Sequence, residues 1–467
     1  MVQPRWQNQE EALQFTLGHP FTMLNMDMGT GKTRVAIDSV FERADIHRVL
    51  IVCPKSVLVD KVWYTNLVKF HPVQDWVYCG LDKGTAKAKA QALSSWPDND
   101  KVFVAVNYDS CWRAELGDAL RRVGFDLIIL DESHRAKSAG SKVSKFLYLL
   151  GKRTPYKMCL SGTPMANSPL DVYGQYRFLD PSIFGTRFDV FKDQYAVLAG
   201  PERRFVVGFK NLNELDAKFD SIAYTCKMVD IADRLKLPQV LPPTIRHVEI
   251  PAADRRTLDA LERDFIAECG TGTVVVQNIL GKILRQQQIT SGFCTVVDGP
   301  GEEPREEQLN NAKGERLLEE FEDISPRAPV VVFCVFRHDL DIVAACAKKA
   351  KRDIFEVSGR VKQLDEWRAK AETGAVLAVQ IQAGNEGIDL TLANHAIYFS
   401  LPHSLAQYEQ SKARLYRPGQ ERPVNFVHYV VPDSIDALMY ESLVRKRNLI
   451  DDIQNGQVDF GYLKGGK

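Results

Sequence analysis

The sequence predicts an α/β protein with two parallel-sheet lobes and an inserted helical and linker region between them. Continuous apolar runs, rather than alternating ones, predict strands that are buried on both faces, as in parallel sheets. Helix-like stretches separate these runs, and such alternation is typical of α/β proteins. The chain has 467 residues, which is too many for one ordinary core. We therefore predict a first lobe over residues 1–183, an insertion and linker over 184–245, and a second lobe over 246–467.

Four apolar runs predict the strands of the first lobe, and helix-like stretches at residues 33–43 and 141–150 lie among them. The predicted strands are residues 49–53, 102–106, 127–130 and 157–160. Residues 184–243 break this pattern, because they are richer in charged and aromatic residues and have a proline-rich end. This break is the reason for placing an insertion and a linker there.

The α/β alternation returns after a helical stretch at residues 255–288. Four further apolar runs then predict the strands of the second lobe. They are residues 330–334, 376–379, 396–399 and 426–431. The sequence thus predicts a second parallel sheet, separate from the first.

Composition narrows the class of protein. The chain is 45% hydrophobic and 26% charged, as is typical of soluble globular proteins. It has 60 basic and 60 acidic residues, so net charge does not indicate a nucleic-acid partner, although a local basic groove would be sufficient for one. Nine cysteines without Cys-x-x-Cys spacing predict reduced thiols in a cytosolic protein. No stretch approaches the roughly 20 apolar residues of a membrane span, so no membrane partner is expected.

The first functional motif is Met-Gly-Thr-Gly-Lys-Thr at residues 28–33. A glycine-rich turn before a helix allows backbone N–H groups to bind phosphates. Lys32 would then reach the β- and γ-phosphates, and the hydroxyl of Thr33 would bind Mg²⁺. The full motif also has a glycine five residues before Gly31, where this chain has Met26. Taken alone, the motif therefore leaves a chance glycine turn open.

The second motif is Asp-Glu-Ser-His at residues 131–134, directly after an apolar run. An acidic residue at the end of a buried strand provides the second magnesium contact of many NTPases. Alone, the two acids could also form the solvated N-terminus of a helix. Because both motifs occur, in this order and each after a strand-like run, they predict an NTPase that uses ATP and Mg²⁺. The histidine narrows the class to nucleic-acid motors.

With these motifs the chain resembles the Swi/Snf-like DNA translocases, a branch of the superfamily-two DExH helicases with two RecA-like lobes. It is most similar to the compact bacterial and phage members. The blocks that carry the resemblance are residues 4–7, 27–33, 52–58, 131–137, 160–168, 178–181, 332–341, 382–391 and 410–420. Three positions depart from the usual residues: Ser133 replaces alanine, His403 replaces tryptophan and Tyr416 replaces histidine. None of these departures removes a catalytic group.

The resemblance implies an ATP site residue by residue. Lys32 is expected to bind the β- and γ-phosphates, and Thr33 and Asp131 are expected to bind Mg²⁺. Glu132 is expected to orient or deprotonate the attacking water. The other implied nucleotide contacts are Gln7, Gly29, Thr30, Gly31, Gly387 and Asp389. Among these, Gln7 is expected to read the adenine, although it could also be a simple helix-start residue.

The resemblance also implies residues that act on the transition state and on DNA. Arg414 and Arg417 are expected to neutralise the charge that develops during hydrolysis, although arginines three apart could also share a solvated helix face. The residues expected to couple ATP to DNA are Lys55, His134, Ser161, Thr163 and Gln410. For Lys55, an ordinary solvated lysine remains an open alternative; for His134, the alternative is a satisfied core histidine.

The expected function is ATP-dependent translocation along double-stranded DNA, because no strand-separating pin is evident in the sequence. The open alternatives are a strand-separating DNA or RNA helicase, a binding module with an inactive NTPase fold, and the motor subunit of a restriction or defence system. The intact set of Lys32, Asp131, Glu132 and Arg417 argues against an inactive fold. The expected setting is the cytoplasm of a bacterial or phage-infected cell, in association with the nucleoid, and the sequence does not indicate a protein partner.

Overall fold

The protein forms two compact units, Met1–Lys236 and Leu237–Lys467, in a computed structural model. The structure describes residues 4–72, 75–94, 101–165, 168–199, 205–259, 275–296, 305–384 and 388–445. Each unit is built around one parallel sheet. The predicted α/β class with two parallel-sheet lobes is therefore confirmed.

The described part of the first unit contains a seven-stranded sheet whose neighbouring strands are all parallel. In chain order its strands are β1 (Phe21–Met26), β2 (Arg48–Cys53), β3 (Trp76–Gly80), β4 (Lys101–Asn107), β5 (Leu127–Asp131), β6 (Tyr156–Ser161) and β9 (Ala223–Cys226). Their order in the sheet is β3-β4-β2-β5-β6-β1-β9. The four predicted strands are β2, β4, β5 and β6, and they are buried along almost their whole length. Strand β3 lies at an edge and is half-buried.

Helices connect these strands, and a short antiparallel hairpin, β7 (Ala196–Ala199) with β8 (Phe205–Phe209), lies outside the sheet. The helices are α1 (Gln7–Gly18), α2 (Lys32–Phe41), α3 (Lys55–Val59), α4 (Val62–Phe70), α5 (Ala86–Ser94), α6 (Tyr108–Cys111), α7 (Ala114–Val123), α8 (Lys142–Gly151), α9 (Val172–Leu179), α10 (Pro181–Phe184), α11 (Phe188–Tyr195), α12 (Leu212–Asp220) and α13 (Met228–Ile231). Two 3₁₀ turns, Ser133–Ala136 and Pro169–Asp171, lie beside the ends of β5 and α9.

The range 184–245, predicted as an insertion and linker, contributes a strand to each sheet. Strand β9 pairs with β1, with Met23 opposite Ala223, and β10 (Thr244–His247), which begins in this range, pairs with another strand of the second unit. Both strands have only four residues, which is too short for a recognisable apolar run. The boundary between the compact units falls after residue 236, and the division at residues 183 and 246 stays a prediction.

The described part of the second unit contains a six-stranded parallel sheet in the order β10-β17-β16-β13-β15-β14. Besides β10, its strands are β13 (Val330–Cys334), β14 (Ile354–Val357), β15 (Val376–Gln380), β16 (His395–Tyr398) and β17 (Asn425–Val430). All four predicted strands are present. A hairpin of β11 (Phe293–Val296) and β12 (Arg305–Gln308) lies outside this sheet.

The first described helical segment of the second unit covers residues 252–259. The others are α14 (Val275–Thr290), α15 (Ala312–Asp323), α16 (Arg337–Lys349), α17 (Leu364–Lys370), α18 (Ile381–Gly384), α19 (Leu405–Leu415) and α20 (Ile435–Val444). None of the described helices of either unit combines the length and the apolar composition that a membrane-spanning segment requires.

Candidate nucleotide site and coupling elements

The phosphate loop joins β1 to α2, and its lysine folds back onto it. Gly29 and Gly31 have φ angles of 81° and 95°, a left-handed conformation that glycine adopts without a side-chain penalty. The ammonium of Lys32 donates hydrogen bonds to the carbonyl oxygens of Met26 and Asp27, at 2.6 and 3.2 Å. These acceptors are neutral, so phosphate oxygens would replace them with stronger, charge-assisted hydrogen bonds.

The first turn of α1 lies on the phosphate loop. The buried Asn8 donates a hydrogen bond from Nδ2 to the carbonyl oxygen of Thr30 at 3.1 Å. Gln9 is also buried, and a Cβ added at Gly31 would lie 2.2 Å from its Nε2. Its Oε1 accepts a hydrogen bond from the backbone N–H of Trp6 at 3.0 Å, which holds the side chain in place. Asn8 and Gln9 therefore support the loop, and the sequence motifs did not single out either residue.

Two predicted residues of the first unit lie apart from these contacts. Gln7 is exposed, and its Nε2 donates a hydrogen bond to Glu11 of the same helix at 2.8 Å. Lys55 is exposed at the first position of α3. The adenine contact of Gln7 and the DNA contact of Lys55 therefore stay predictions.

The acidic turn, residues 131–137, begins at the end of β5, and its two carboxylates come from the neighbouring residues Asp131 and Glu132. Strand β5 ends at Asp131, and Glu132 is left-handed with φ 53°. Trp63 Nε1 donates a hydrogen bond to Asp131 Oδ2 at 2.9 Å. Burial, together with the charge of Glu132, raises the pKa of Asp131, whereas the bond from Trp63 and the charge of Lys32 lower it. A buried carboxylate beside a second carboxylate fits a divalent cation, so Asp131 would hold Mg²⁺ together with Thr33 in the first turn of α2.

A chain of polar contacts leads from the acidic turn to the loop after β6. His134 Nδ1 lies 3.4 Å from Glu132 Oε2 and 3.3 Å from Ser161 Oγ. Ser161 Oγ in turn accepts a hydrogen bond from the backbone N–H of Thr163 at 3.1 Å. Burial lowers the pKa of His134, although the charge of Glu132 opposes this effect. The structure therefore brings these four predicted residues together at the carboxyl ends of β5 and β6.

In the second unit, the segment with Asp389 is fixed to the end of α19. Asp389 Oδ1 accepts hydrogen bonds from the backbone N–H and the hydroxyl of Thr391, at 3.0 and 2.8 Å. The backbone N–H of Leu390 donates to the carbonyl oxygen of Arg414 at 3.0 Å. The predicted Gly387 lies outside the described residues. Asp389 thus directly precedes the residue whose backbone is hydrogen-bonded to Arg414, and the nucleotide roles of both stay predictions.

Two buried hydrogen bonds anchor α19 to its sheet. Tyr408 and His428 Nε2 are 2.8 Å apart, and the hydroxyls of Tyr398 and Ser411 are 2.6 Å apart. Burial lowers the pKa of His428 to about 3, so its imidazole is neutral and Nε2 can accept a hydrogen bond from the hydroxyl of Tyr408. These bonds fix the helix that carries the partly exposed Gln410.

The two arginines that are expected to neutralise the charge that develops during hydrolysis, as arginine fingers, differ in burial. Arg414 is only 9% exposed, whereas Arg417 follows α19 and is partly exposed. Arg417 Nε is buried and makes no hydrogen bond to any residue in the described ranges. Of the two guanidinium groups, that of Arg417 is the more accessible to a ligand.

Two protein-family models match the chain. The SNF2-related domain matches residues 9–222, and the helicase conserved C-terminal domain matches residues 312–419. A solved structure of the Sulfolobus solfataricus SWI2/SNF2 ATPase core in complex with dsDNA is also similar, with a TM-score of 0.45 and 21% sequence identity. That similarity covers 99% of this chain and 97% of the other.

Two relatives illustrate how much of each protein is shared. The chain is 26% identical over 449 residues to the putative protein p41 of Acyrthosiphon pisum secondary endosymbiont phage 1, covering 91% of this chain and 92% of that protein. It is 23% identical over 456 residues to the DNA annealing helicase and endonuclease ZRANB3 of Mus musculus, covering 93% of this chain but only 39% of that protein. The chain belongs to the SNF2-related, helicase-type ATPases, with an SNF2-related domain followed by a helicase C-terminal domain.

Proposed function

We propose that this ATPase is a motor that translocates along double-stranded DNA. The observation that supports the proposal most is that the phosphate loop, the acidic turn and the loop after β6 all lie at the carboxyl ends of strands in the first sheet. Polar contacts connect Glu132 through His134 and Ser161 to Thr163. The phosphate loop and the acidic turn supply the groups that hydrolysis needs. The polar contacts connect them to the loop after β6, whose position would then depend on the state of the nucleotide.

Hydrolysis of ATP at this site depends mainly on positioning and charge. Lys32 would exchange its carbonyl acceptors for the β- and γ-phosphates, and Thr33 and Asp131 would hold the Mg²⁺ that neutralises phosphate charge. Glu132 would orient the attacking water or accept its proton. Arg417 would neutralise the charge that develops on the transferred phosphate, a role that its partial exposure supports.

Double-stranded DNA is the proposed track because the motif set resembles that of the Swi/Snf-like translocases, and because no feature of the sequence resembles a strand-separating pin. The relative ZRANB3 is named as a DNA annealing helicase, which also supports a DNA substrate. The phage relative supports a bacterial or phage-infected cell as the setting.

The proposal is tested by ATPase rates with duplex DNA, single-stranded DNA and RNA side by side. Duplex DNA should stimulate the rate most, and the stimulation should weaken as salt rises, because phosphate contacts release counterions. In a triplex-displacement assay the protein should remove the third strand with ATP, while a forked duplex should remain intact. Stimulation by RNA alone, or efficient separation of the fork, would favour the strand-separating helicase instead.

A further inference from the structure

Ser133 departs from the alanine that the family usually has within the acidic turn, and the structure shows what its hydroxyl does. Ser133 is fully buried, and its Oγ donates a hydrogen bond to Gln175 Oε1 at 2.6 Å. Gln175 lies on α9 and is also fully buried. We infer that Gln175 is a positioning residue that transmits the state of the nucleotide site to the loop after β6. The inference rests on the proposed function.

The amide of Gln175 joins three separate segments. Besides accepting from Ser133, it donates from Nε2 to the carbonyl oxygens of Pro164 and Asp171, at 2.8 and 3.0 Å. Only this orientation of the amide fits, because the reverse would place Oε1 against two carbonyl oxygens. One side chain therefore connects the acidic turn, the loop after β6 and the turn that precedes α9.

Close packing makes this connection stiff. A Cβ added at Gly174 would lie 2.3 Å from the carbonyl oxygen of Ala136 and 2.4 Å from that of Lys137. There is consequently no space between α9 and the end of the acidic turn. Lys137 also forms an ion pair with Asp171 at 3.0 Å. Because buried protein is close-packed and transmits strain, a displacement of the turn must move α9 or break these bonds.

The consequence concerns coupling rather than hydrolysis itself. Ser133 directly follows Glu132, so a change in the acidic turn on nucleotide binding would reach Pro164 through the Gln175 amide. Without that amide, the carbonyl oxygen of Pro164 loses its donor, and the loop keeps only the contacts with the turn that run through His134 and Ser161. The groups proposed to bind ATP and water keep all of their own contacts.

The experiment compares Gln175→Met, Ser133→Ala and the double variant with Gln91→Met. Gln91 is exposed on α5, so it controls for the same substitution without the buried contacts. Hydrogen–deuterium exchange of residues 161–165 is measured with and without a non-hydrolysable ATP analogue. The wild type and Gln91→Met should change their exchange when the analogue binds. Gln175→Met and the double variant should lose most of that change, while the phosphate-loop peptide should still respond.

A second measurement follows coupling during turnover. In Gln175→Met, stimulation of the ATPase by duplex DNA should fall by about fivefold or more, the size of a typical coupling between sites, while the basal rate stays similar. The double variant has no unpaired hydroxyl, so its thermal midpoint should recover towards the wild-type value while its coupling remains lost. Recovery of both would show that the pair only fills the interior, and would overturn the inference.

The two readouts separate this inference from the proposed function. If no nucleic acid stimulates the wild-type ATPase, the proposed function fails, and the exchange measurement alone decides the role of Gln175. A wild-type response of residues 161–165 in Gln175→Met would refute that role, whatever the effect of DNA.

Discussion

Replacing Lys157 with methionine is expected to stabilise the protein at neutral pH. Lys157 lies on β6 and is only 6% exposed. Its ammonium lies 4.0 Å from the ring centroid of Phe21 and 5.9 Å from that of Phe178. Burial lowers its pKa to about 8, although the charge of Asp180 opposes this effect. The charged ammonium of Lys157 is therefore less favourable in the folded state than in the unfolded chain.

The expected size of the effect follows from that pKa. Lowering a lysine pKa from 10.5 to about 8 corresponds to about 3 kcal/mol against the charged form. The contacts with the phenylalanine rings offset part of this cost, by about 1–2 kcal/mol. Methionine keeps an unbranched apolar chain and carries no charge, so we expect a gain of about 1–2 kcal/mol at pH 7. One kcal/mol would raise the melting temperature by about 2–4 °C in a domain of this size.

The sign of the pH dependence distinguishes this explanation from simple repacking. Between pH values of about 8 and 10.5 the unfolded wild-type chain binds a proton that the folded state has released, so wild-type stability rises with pH over this window. The free energy of unfolding of Lys157→Met minus that of the wild type should therefore shrink from pH 7 to pH 10. Lys152→Met is the matched control, because Lys152 is exposed over the ring of Tyr148. A less stable Lys157→Met at pH 7, or a difference that is constant with pH, would refute the reasoning.

Three further predictions concern the ATP site. Lys32→Ala should abolish ATP hydrolysis, because the β- and γ-phosphates lose their cation; near-normal turnover of the purified variant would remove this loop from the site. Glu132→Gln should bind a fluorescent ATP analogue normally but hydrolyse ATP about 10²–10⁴-fold more slowly, since an amide cannot accept the proton; lost affinity with unchanged chemistry would contradict the role. Arg417→Ala should lower kcat far more than it raises KM, because a finger acts on transition-state charge; a variant that loses only DNA affinity would place Arg417 in the nucleic-acid groove.

All the central strands of the two sheets except β1 are among the predicted apolar runs, because burial on both faces requires continuous apolar residues; in β1 the run is interrupted by Thr22 and Asn25. Strands β2 and β13, which are buried along almost their whole length, are examples. The edge strands lack this signal. Strand β3 is half-buried, and β10 alternates between exposed and half-buried positions over only four residues. A single edge strand therefore resembles a loop in sequence, and its identity depends on the neighbouring strand.

The nucleotide motifs could be predicted because phosphate and magnesium chemistry allows few residue types at fixed spacing. The residues that hold these motifs in place carry no such constraint. Asn8 reaches the phosphate loop across 22 residues, Trp63 reaches Asp131 across 68, and Gln175 reaches the acidic turn across 42. Contacts at these separations depend on the folded packing, so one sequence alone does not reveal them.

The loop after β6 is held by two routes that start in the same turn. The route through His134 and Ser161 ends at the backbone N–H of Thr163, and the route through Gln175 ends at the carbonyl oxygen of Pro164. The two ends lie on consecutive residues, so together they fix the position of the loop more firmly than either contact could. The same loop passes close to the phosphate loop, since a Cβ added at Gly162 would lie 3.3 Å from the carbonyl oxygen at the end of β1. A motion of the phosphate loop or of the acidic turn would therefore reach this loop, so its position should depend on the state of the nucleotide.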